Sequence, residues 1–538
     1  MTSPSTPLGL TALGLLCALG NDLETIYQRA LAGDTSGMRR LEGVLPGGES
    51  TPFGCVDLPE DFEPGLNSRC ERLIAAAYQQ IKADVEELKT RIPLERIGVV
   101  LGTSNSEMEE FTQNPTRIDM ALPAAFLKRY AGLKGPAYVI STACSSSGKV
   151  FASARALIEK GICDAVLVGG VDALTRIVVN GFYALEALTT ELARPFGKDR
   201  TGINLGEGAA LFILEKGSAE VMLLGVGESS DAYHLTAPEP TGMGAEAAMR
   251  AALADAGLSP DAVEMLNLHG TGTSYNDSME SQAVARVFGE RIPCASTKPM
   301  TGHTLGAAGA IEAALCWLIL KNKGPAIPHV LSGERDETLP AFPLVEKGSD
   351  LHPHTILSTS FAFGGSNVAV LLGRQAAPAS RHYAMEELLA HRAPMILIDD
   401  YDEAPFSEEG LTTSVTIRAS DVFFDTALRG TPPSTALEYM AQSIAAYVGL
   451  LARREGKEPQ LGFVLGSRSI TLDLPCFAEG ERYTIHVEPQ FSDNQFAAFA
   501  TTIYDAAHTC VASAILNVFR PDEDEAKTLL SPETRKEA

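Results

Sequence analysis

Cys144 stands in Ser-Thr-Ala-Cys-Ser-Ser-Ser-Gly (141–148), between the apolar run Ala137–Ile140 and a helical pattern from Lys149 to Lys160. Far downstream come His269, in Asn-Leu-His-Gly-Thr-Gly-Thr (267–273), and Lys298 with His303, in Lys-Pro-Met-Thr-Gly-His (298–303). A cysteine attacks carbonyl carbon as its thiolate, and a helix N-terminus favours negative charge, so the spacing predicts a lowered thiol pKa. In a sharp turn the cysteine N–H can also donate to a tetrahedral oxyanion. Two imidazoles can then hold a second carbonyl oxygen and stabilise an enolate as carbon dioxide leaves. A single buried cysteine or histidine is usually packing. A thiol, two imidazoles and an ammonium together are the equipment for acyl transfer through a thioester.

A second, weaker constellation lies near the C-terminus. His391 falls in Leu-Leu-Ala-His-Arg-Ala-Pro-Met-Ile-Leu-Ile-Asp (388–399), and Glu438 in Ala-Leu-Glu-Tyr-Met-Ala-Gln (436–442). Removing water from a 3-hydroxyacyl thioester takes a base for the α-proton and a proton donor for the hydroxyl, which an imidazole facing a carboxyl group supplies. The plain alternative is a glutamate that complements a helix dipole and a histidine on the surface.

The elements that must hold these groups differ between the two halves. Up to residue 373, short apolar strands (Arg96–Leu101, Ala165–Val168) alternate with helical patterns at Cys70–Leu88, Gly244–Ala254 and Ala307–Leu320, which implies a layered α/β core. Leu8–Gly20 reads as a first buried strand, since it lacks the basic start and cleavage site of a signal peptide. Residues 374–384 read as a linker. Beyond it, Leu411–Ile417, Tyr483–Val487, Phe496–Tyr504 and Thr509–Phe519 look like strands, interrupted by one helix from Ser434 to Arg453. Ser434 is the expected cap, with Leu437, Met440, Ala441, Ile444 and Val448 as the apolar stripe. Strands around one long helix suggest a hot-dog domain over 385–520, followed by a charged, flexible tail at 521–538. No internal repeat is visible in the sequence.

With 538 residues, two or three domains are expected. A formal charge of −25 excludes nucleic acid as the main partner. The nine cysteines show no paired spacing, so they read as reduced thiols of a cytoplasmic protein. No apolar run reaches the ~20 residues of a membrane span, no metal-ligand pattern stands out, and no Gly-x-Gly-x-x-Gly marks a nicotinamide site.

The first half resembles the β-ketoacyl-(acyl carrier protein) synthases, condensing enzymes of thiolase fold. The resemblance is carried by TACSSSG, VLVGGVDAL (166–174), ARPFGKDRTGINLGEGAA (193–210), HGTGT, STKPMTGHTLGAAGAIEAA (296–314) and SFAFGGSN (360–367). It implies that Cys144 accepts the acyl group, and that His269 and His303 promote decarboxylation and carbanion attack. Lys298 would tune the site and Glu312 support it. Phe363 would gate the pocket and supply an oxyanion amide, and Thr271 and Thr273 would touch phosphopantetheine. A thiolase would carry a second cysteine motif where FAFGGSN stands, initiating synthases use one histidine and an asparagine, and chain-length factors lack the nucleophile.

The second half resembles the 3-hydroxyacyl-(acyl carrier protein) dehydratases through HRAPMILID and ALEYMAQSIAAYVG, with His391 and Glu438 in the catalytic positions. A glutamate there is similar to the simple dehydratases, whereas dehydratase-isomerases carry aspartate. The approach to the helix, DVFFDTALRGTPP (421–433), departs from the housekeeping enzymes and is closer to the dehydratases of aryl polyene clusters. The expectation is therefore a bifunctional ketosynthase–dehydratase of polyene biosynthesis, with fatty acid elongation or an inactive hot-dog module as the alternatives. Its substrates would ride on the 4'-phosphopantetheine of an acyl carrier protein, with no bound cofactor and no metal. A separate ketoreductase, a homodimer and a partner ketosynthase or chain-length-factor subunit are implied. An acidic carrier needs a cationic entrance, for which Arg69, Arg72, Lys128 and Arg129 are candidates.

Overall fold

The computed structural model of the chain describes residues 8–59, 62–63, 65–66, 68–106, 120–374, 383–401, 410–454, 459, 462–492 and 495–521. The chain divides into two compact units, residues 1–380 and 381–538. Most of the expected 374–384 linker and all but Pro521 of the expected tail lie outside the described residues. At the linker's ends, Arg374 closes a strand and Tyr383 is buried in the second unit's core.

In the first unit the strands are β1 (Leu8–Leu16), β2 (Met38–Leu41), β3 (Thr51–Gly54), β4 (Ile97–Gly102), β5 (Ala137–Ile140), β6 (Ala165–Asp172), β7 (Gly208–Lys216), β8 (Val221–Ser230), β9 (Met265–Asn267), β10 (Cys294–Ala295), β11 (Thr355–Phe361) and β12 (Ser366–Arg374). All except the β2–β3 hairpin belong to one sheet, ordered β10-β9-β11-β12-β8-β1-β7-β6-β4-β5. The order is a duplication. β5-β4-β6-β7-β1 and β10-β9-β11-β12-β8 have the same connectivity and the same alternation of parallel and antiparallel pairs, and the single pair Gly9–Met222 joins them. This repeat is absent from the sequence as read, because it lives in strand order and not in residue identity.

Both faces of each half-sheet are covered. Val99 and Leu101 face the cluster under helix Arg69–Arg91, while Val100 faces the central cluster; Leu357 and Ile356 divide in the same way in the second half. The central cluster is filled by helices Ser146–Glu159 and Ala308–Asn322, which occupy equivalent places after β5 and β10. They approach closely because both carry glycine at the crossing. A Cβ on Gly309 would lie 2.7 Å from the Gly148 backbone nitrogen. Leu305–Asn322 is apolar enough to pass for a membrane span, but 89% of it is buried, as a core helix. The helix after Cys144 begins at Ser146, three residues before the expected Lys149, so the thiol stands at its very start.

The second unit is an antiparallel six-stranded sheet ordered β13-β14-β18-β19-β20-β16, with β13 Asp400–Tyr401, β14 Leu411–Thr416, β16 Phe463–Leu472, β18 Arg482–Ser492, β19 Phe496–Tyr504 and β20 Cys510–Phe519. Between them, β15 (Gly430–Thr431) pairs with β17 (Phe477–Ala478). Helix Ala436–Arg454 packs on this sheet. Two details differ from expectation. Ser434 is not the cap but lies inside a 3₁₀ turn, Pro433–Thr435, that leads into the helix. Leu437 is 41% exposed, and the buried face instead runs through Ala436, Tyr439, Met440, Ile444, Tyr447 and Leu450. Tyr439 replaces Leu437 because its hydroxyl finds a partner at Thr431, 3.0 Å away, so a polar-tipped ring can be buried whole.

Candidate active sites

The duplication brings the distant motifs of the first unit together. Cys144 follows β5 at the start of one central helix; His303 follows β10 ahead of the other, and the two helix beginnings converge. His303 Nε2 lies 3.0 Å from Cys144 Sγ. Ala143, immediately before the thiol, has φ 51°, which turns the strand end sharply enough to present the sulfur. His269 follows β9, and its ring centroid is 5.3 Å from that of His303. Lys298 Nζ lies 3.4 Å from His269 Nδ1 and donates to the His269 carbonyl and to Glu312. With an ammonium facing Nδ1, the proton of neutral His269 sits on Nε2, which points a donor into the site.

Burial sets the electrostatics. Cys144, His269, Lys298, His303 and Glu312 are all buried. Desolvation pushes the Cys144 thiol up to about 12, with Lys298 opposing it. The expected lowering by the helix start is outweighed, so the resting nucleophile is a thiol hydrogen-bonded to an imidazole. Burial, then the charge of Lys298, hold His269 and His303 well below the usual imidazole range, and both are neutral. Glu312 is raised by burial, and its Oε2 has no partner among the described residues; neither has His303 Nδ1.

Three further groups, to which the sequence reading gave no role, hold the backbone around these side chains. Glu280 accepts from the His269 and Gly270 amides at 2.7 Å each, and burial raises it to about 7. Asp172 accepts from Ser104 N at 2.9 Å and from Gly306 N at 2.7 Å, linking the β4 turn to the loop after His303. The carbonyl of Asn204 accepts from His303 N at 2.7 Å. A glutamate eleven residues beyond His269 was the available signal for Glu280. The others depend on contacts between remote segments.

Phe363 begins a 3₁₀ turn after β11 and stacks on Phe182 with centroids 5.7 Å apart. Ser145 and Ser366 hydroxyls, 3.1 Å apart, tie that turn to the nucleophile's turn. Thr271 and Thr273 share a 3.0 Å hydrogen bond, and Thr273 caps helix Ser274–Phe288. Arg69 is not available as a docking cation. Its guanidinium pairs with Glu207 at 2.6 Å and donates to the Val56 and Leu58 carbonyls. Arg72 is half-buried, Lys128 half-buried and Arg129 exposed.

In the second unit His391 Nε2 stands 3.6 Å from Glu438 Oε1, both about one-third exposed. Glu438 is in the first turn of the long helix. Gln442, one turn later and fully buried, donates to Glu438 at 2.8 Å and to the Met395 carbonyl at 2.7 Å, and accepts from Leu397 N at 2.8 Å. The His391 segment is thus pinned to the helix that carries its partner. Its other end passes so close to Gly449 that a Cβ there would lie 2.3 Å from the Leu388 carbonyl.

Residues 67–220 match the family described as beta-ketoacyl synthase, N-terminal domain, and residues 221–333 its C-terminal domain. Aligned over 404 residues, the chain is 31% identical to a 3-oxoacyl-[acyl-carrier-protein] synthase 2 of Staphylococcus aureus, covering 67% of this chain and 99% of that protein. The chain belongs to the β-ketoacyl synthase family. A second such synthase, of Coxiella burnetii, is 31% identical over 417 residues, covering 68% of this chain and 98% of that one. Among solved structures, this ketosynthase is similar to the ketosynthase ApeO in complex with its chain length factor ApeC from Xenorhabdus doucetiae, with TM-score 0.66 and 42% identity over 70% of this chain and 100% of that one. The ishigamide ketosynthase/chain length factor follows at TM-score 0.62 and 27% identity, over 69% of this chain and 100% of that one. Residues 383–531 match the family described as ApeP dehydratase. The polypeptide therefore joins a condensing acyltransferase of thiolase fold to a hot-dog dehydratase.

Proposed function

We propose that Cys144 carries the growing acyl chain, and that the chain extends and dehydrates intermediates of a conjugated polyene on an acyl carrier protein. The observation that carries the condensing roles is His303 Nε2 at 3.0 Å from the Cys144 sulfur in a buried site shared with His269. As the sulfur attacks the incoming thioester, its proton passes to His303, which returns it to the departing pantetheine thiol. A malonyl thioester then occupies the same site. His269, through Nε2–H, donates to its carbonyl oxygen, and His303, its Nε2 freed from the thiol by acylation, does the same in the tautomer that carries the proton on Nε2, while the carboxylate leaves as carbon dioxide. The enolate carbon attacks the acyl-Cys144 carbonyl, and sulfur departs with the electron pair. Neutral imidazoles suit this work, because a standing charge would stabilise the malonyl carboxylate that has to leave.

After a separate ketoreductase has acted, His391 takes the α-proton of the 3-hydroxyacyl thioester, and Glu438, protonated, gives its proton to the hydroxyl, which leaves as water. The 3.6 Å between them lets the proton return from His391 to Glu438. Phe363 serves as gate, Thr271 and Thr273 as pantetheine contacts, and Arg72, Lys128 and Arg129 remain as candidate docking cations in the cytoplasm. The exposed edge strand β16, with Leu465 59% exposed, supports a homodimer. The likeness to ApeO supports a chain-length-factor partner.

The test supplies octanoyl carrier, malonyl carrier and a ketoreductase, with product masses as the readout. Native protein gives successively longer conjugated thioesters. Cys144→Ala stops all extension, whereas His391→Ala and Glu438→Gln accumulate 3-hydroxy products with extension intact. A chain that condenses once and then refuses its own 2-enoyl product as a primer, while extending saturated acyl carriers repeatedly, would instead be assigned to fatty acid elongation, and unchanged dehydration in the His391 and Glu438 variants would make the second unit a noncatalytic module.

A further inference from the structure

A third buried histidine stands behind the condensing site. His329 is 8% exposed and carries two specific bonds: its Nδ1 accepts from the Ser296 amide at 3.0 Å, and its Nε2 lies 3.1 Å from the Pro195 carbonyl. A backbone N–H on Nδ1 and a carbonyl on Nε2 permit one tautomer only, with the proton on Nε2. Neutral imidazole is what burial favours, since desolvation lowers this ring to about 4.

What His329 holds is adjacent to the chemistry. Ser296 is fully buried; its hydroxyl donates to the Gly270 carbonyl at 2.8 Å and accepts from the Lys298 amide at 3.4 Å. Gly270 directly follows His269, so one serine touches the backbone on which both the donor imidazole and its ammonium partner ride. Among the described residues this relay does not reach the other pair. His303 is fixed through Asn204 and Gly206, and the Cys144 turn through its own hydroxyls and Ser366.

We infer that His329 is a positioning residue for the decarboxylation and condensation step, acting through Ser296 on His269 and Lys298, and that acyl transfer to Cys144 does not depend on it. The inference rests on the roles proposed above for His269 and Lys298. Its function is geometric: the Nδ1 bond fixes how far the 296–298 segment stands from the His269 loop, and an error of a few tenths of an ångström there misaims the donor at the thioester oxygen.

Three substitutions separate this from a general packing role. An asparagine amide falls where Nδ1 is, so His329→Asn keeps an acceptor for Ser296 and loses the Pro195 contact. A glutamine amide falls where Nε2 is, so His329→Gln keeps the Pro195 contact and loses Ser296. His329→Phe keeps ring volume and loses both. In the full-length protein, Cys144 acylation is followed by mass spectrometry and condensation by product formation from pre-acylated protein and malonyl carrier. The expected result is condensation within about threefold of native for Asn but down at least tenfold for Gln and Phe, with acylation in all three within about twofold. A Gln variant as active as Asn overturns the inference, and so does an equal fall of both half-reactions. If the Phe variant does not fold, the Asn–Gln contrast decides alone. His269→Ala is run alongside. Condensation lost there but retained in His329→Gln refutes the inference and leaves the site reading standing; condensation retained in His269→Ala refutes both.

Discussion

The Lys298–Glu312 pair offers the sharpest quantitative test of the buried site. Each residue is 2% exposed, and the ammonium also faces His269 Nδ1 at 3.4 Å. Lys298→Met leaves a carboxylate in the interior with no cation. Its escape is to take up a proton, which at pH 7 costs about 1.4 kcal/mol for each unit above an ordinary glutamate pKa of ~4.3, or about 3.7 kcal/mol. Glu312→Leu leaves an ammonium whose escape from ~10.4 to pH 7 costs about 4.6 kcal/mol. Both fall in the range of ~3–5 kcal/mol found when one partner of a buried pair is removed. The double variant Lys298→Met/Glu312→Leu, which buries no charge, should be within about 1 kcal/mol of native. Trp317 is the only tryptophan and sits in the core helix of the first unit, bonded to the Leu10 carbonyl at 3.0 Å, so its fluorescence in urea reports that unit alone. The loss in Lys298→Met should shrink to about 2 kcal/mol at pH 6, because protonating Glu312 is then easier. Lys298→Met and the double variant should lose condensation, since neither presents an ammonium to His269. Single variants costing under ~1 kcal/mol, or a double variant as unstable as either single, would refute the buried-pair argument.

Other expectations follow from the same structure. Alkylation of Cys144 by iodoacetamide, read on its own peptide, should keep rising through pH 9, as burial has lifted the thiol; a plateau near pH 7 contradicts this. Below about pH 6.5 the unfolded chain takes up protons that His269 and His303 refuse when buried, so stability falls with pH by up to ~1.4 kcal/mol per unit for each histidine. The His269→Asn/His303→Asn variant should lose that part of the slope in Trp317-monitored unfolding, and an unchanged slope would refute it. Gln442→Met should cut dehydration at least tenfold and leave condensation intact, as Leu397 N–H and the Met395 carbonyl lose their partner; equal activity would show that the anchor is dispensable. Gly309→Ala must push the two central helices apart, so condensation should fall with a loss of ~1–3 kcal/mol, and a native-like melt would contradict the packing.

The fold class and the candidate site motifs were legible in the chain because each is a local pattern: a thiol between an apolar run and a helical one, a histidine in a glycine-bounded turn, a glutamate in a first helical turn. Apolar runs marked strands buried on both faces, and element boundaries fell within a few residues for Phe496–Tyr504 and for the helix found at Met243–Ala256. Arg69 and Leu437 could not be placed this way. A cation at a helix start and a leucine in a helical stripe read alike whether they meet solvent, a carboxylate or a core, and only the neighbours at Glu207 and Tyr439 decided between them.

Sequence by itself determined which chemical groups the protein owns and which elements carry them, since residue type, turn propensity and periodicity are properties of short segments. Tertiary structure decided how those groups behave. Duplicated strand order set two helix beginnings face to face, so that residues 159 positions apart share a hydrogen bond. Removal of water around them then raised the thiol and kept the imidazoles neutral, against the helix-start effect that local reading anticipated. Desolvation depends on everything packed around a group, and no short window of sequence contains that.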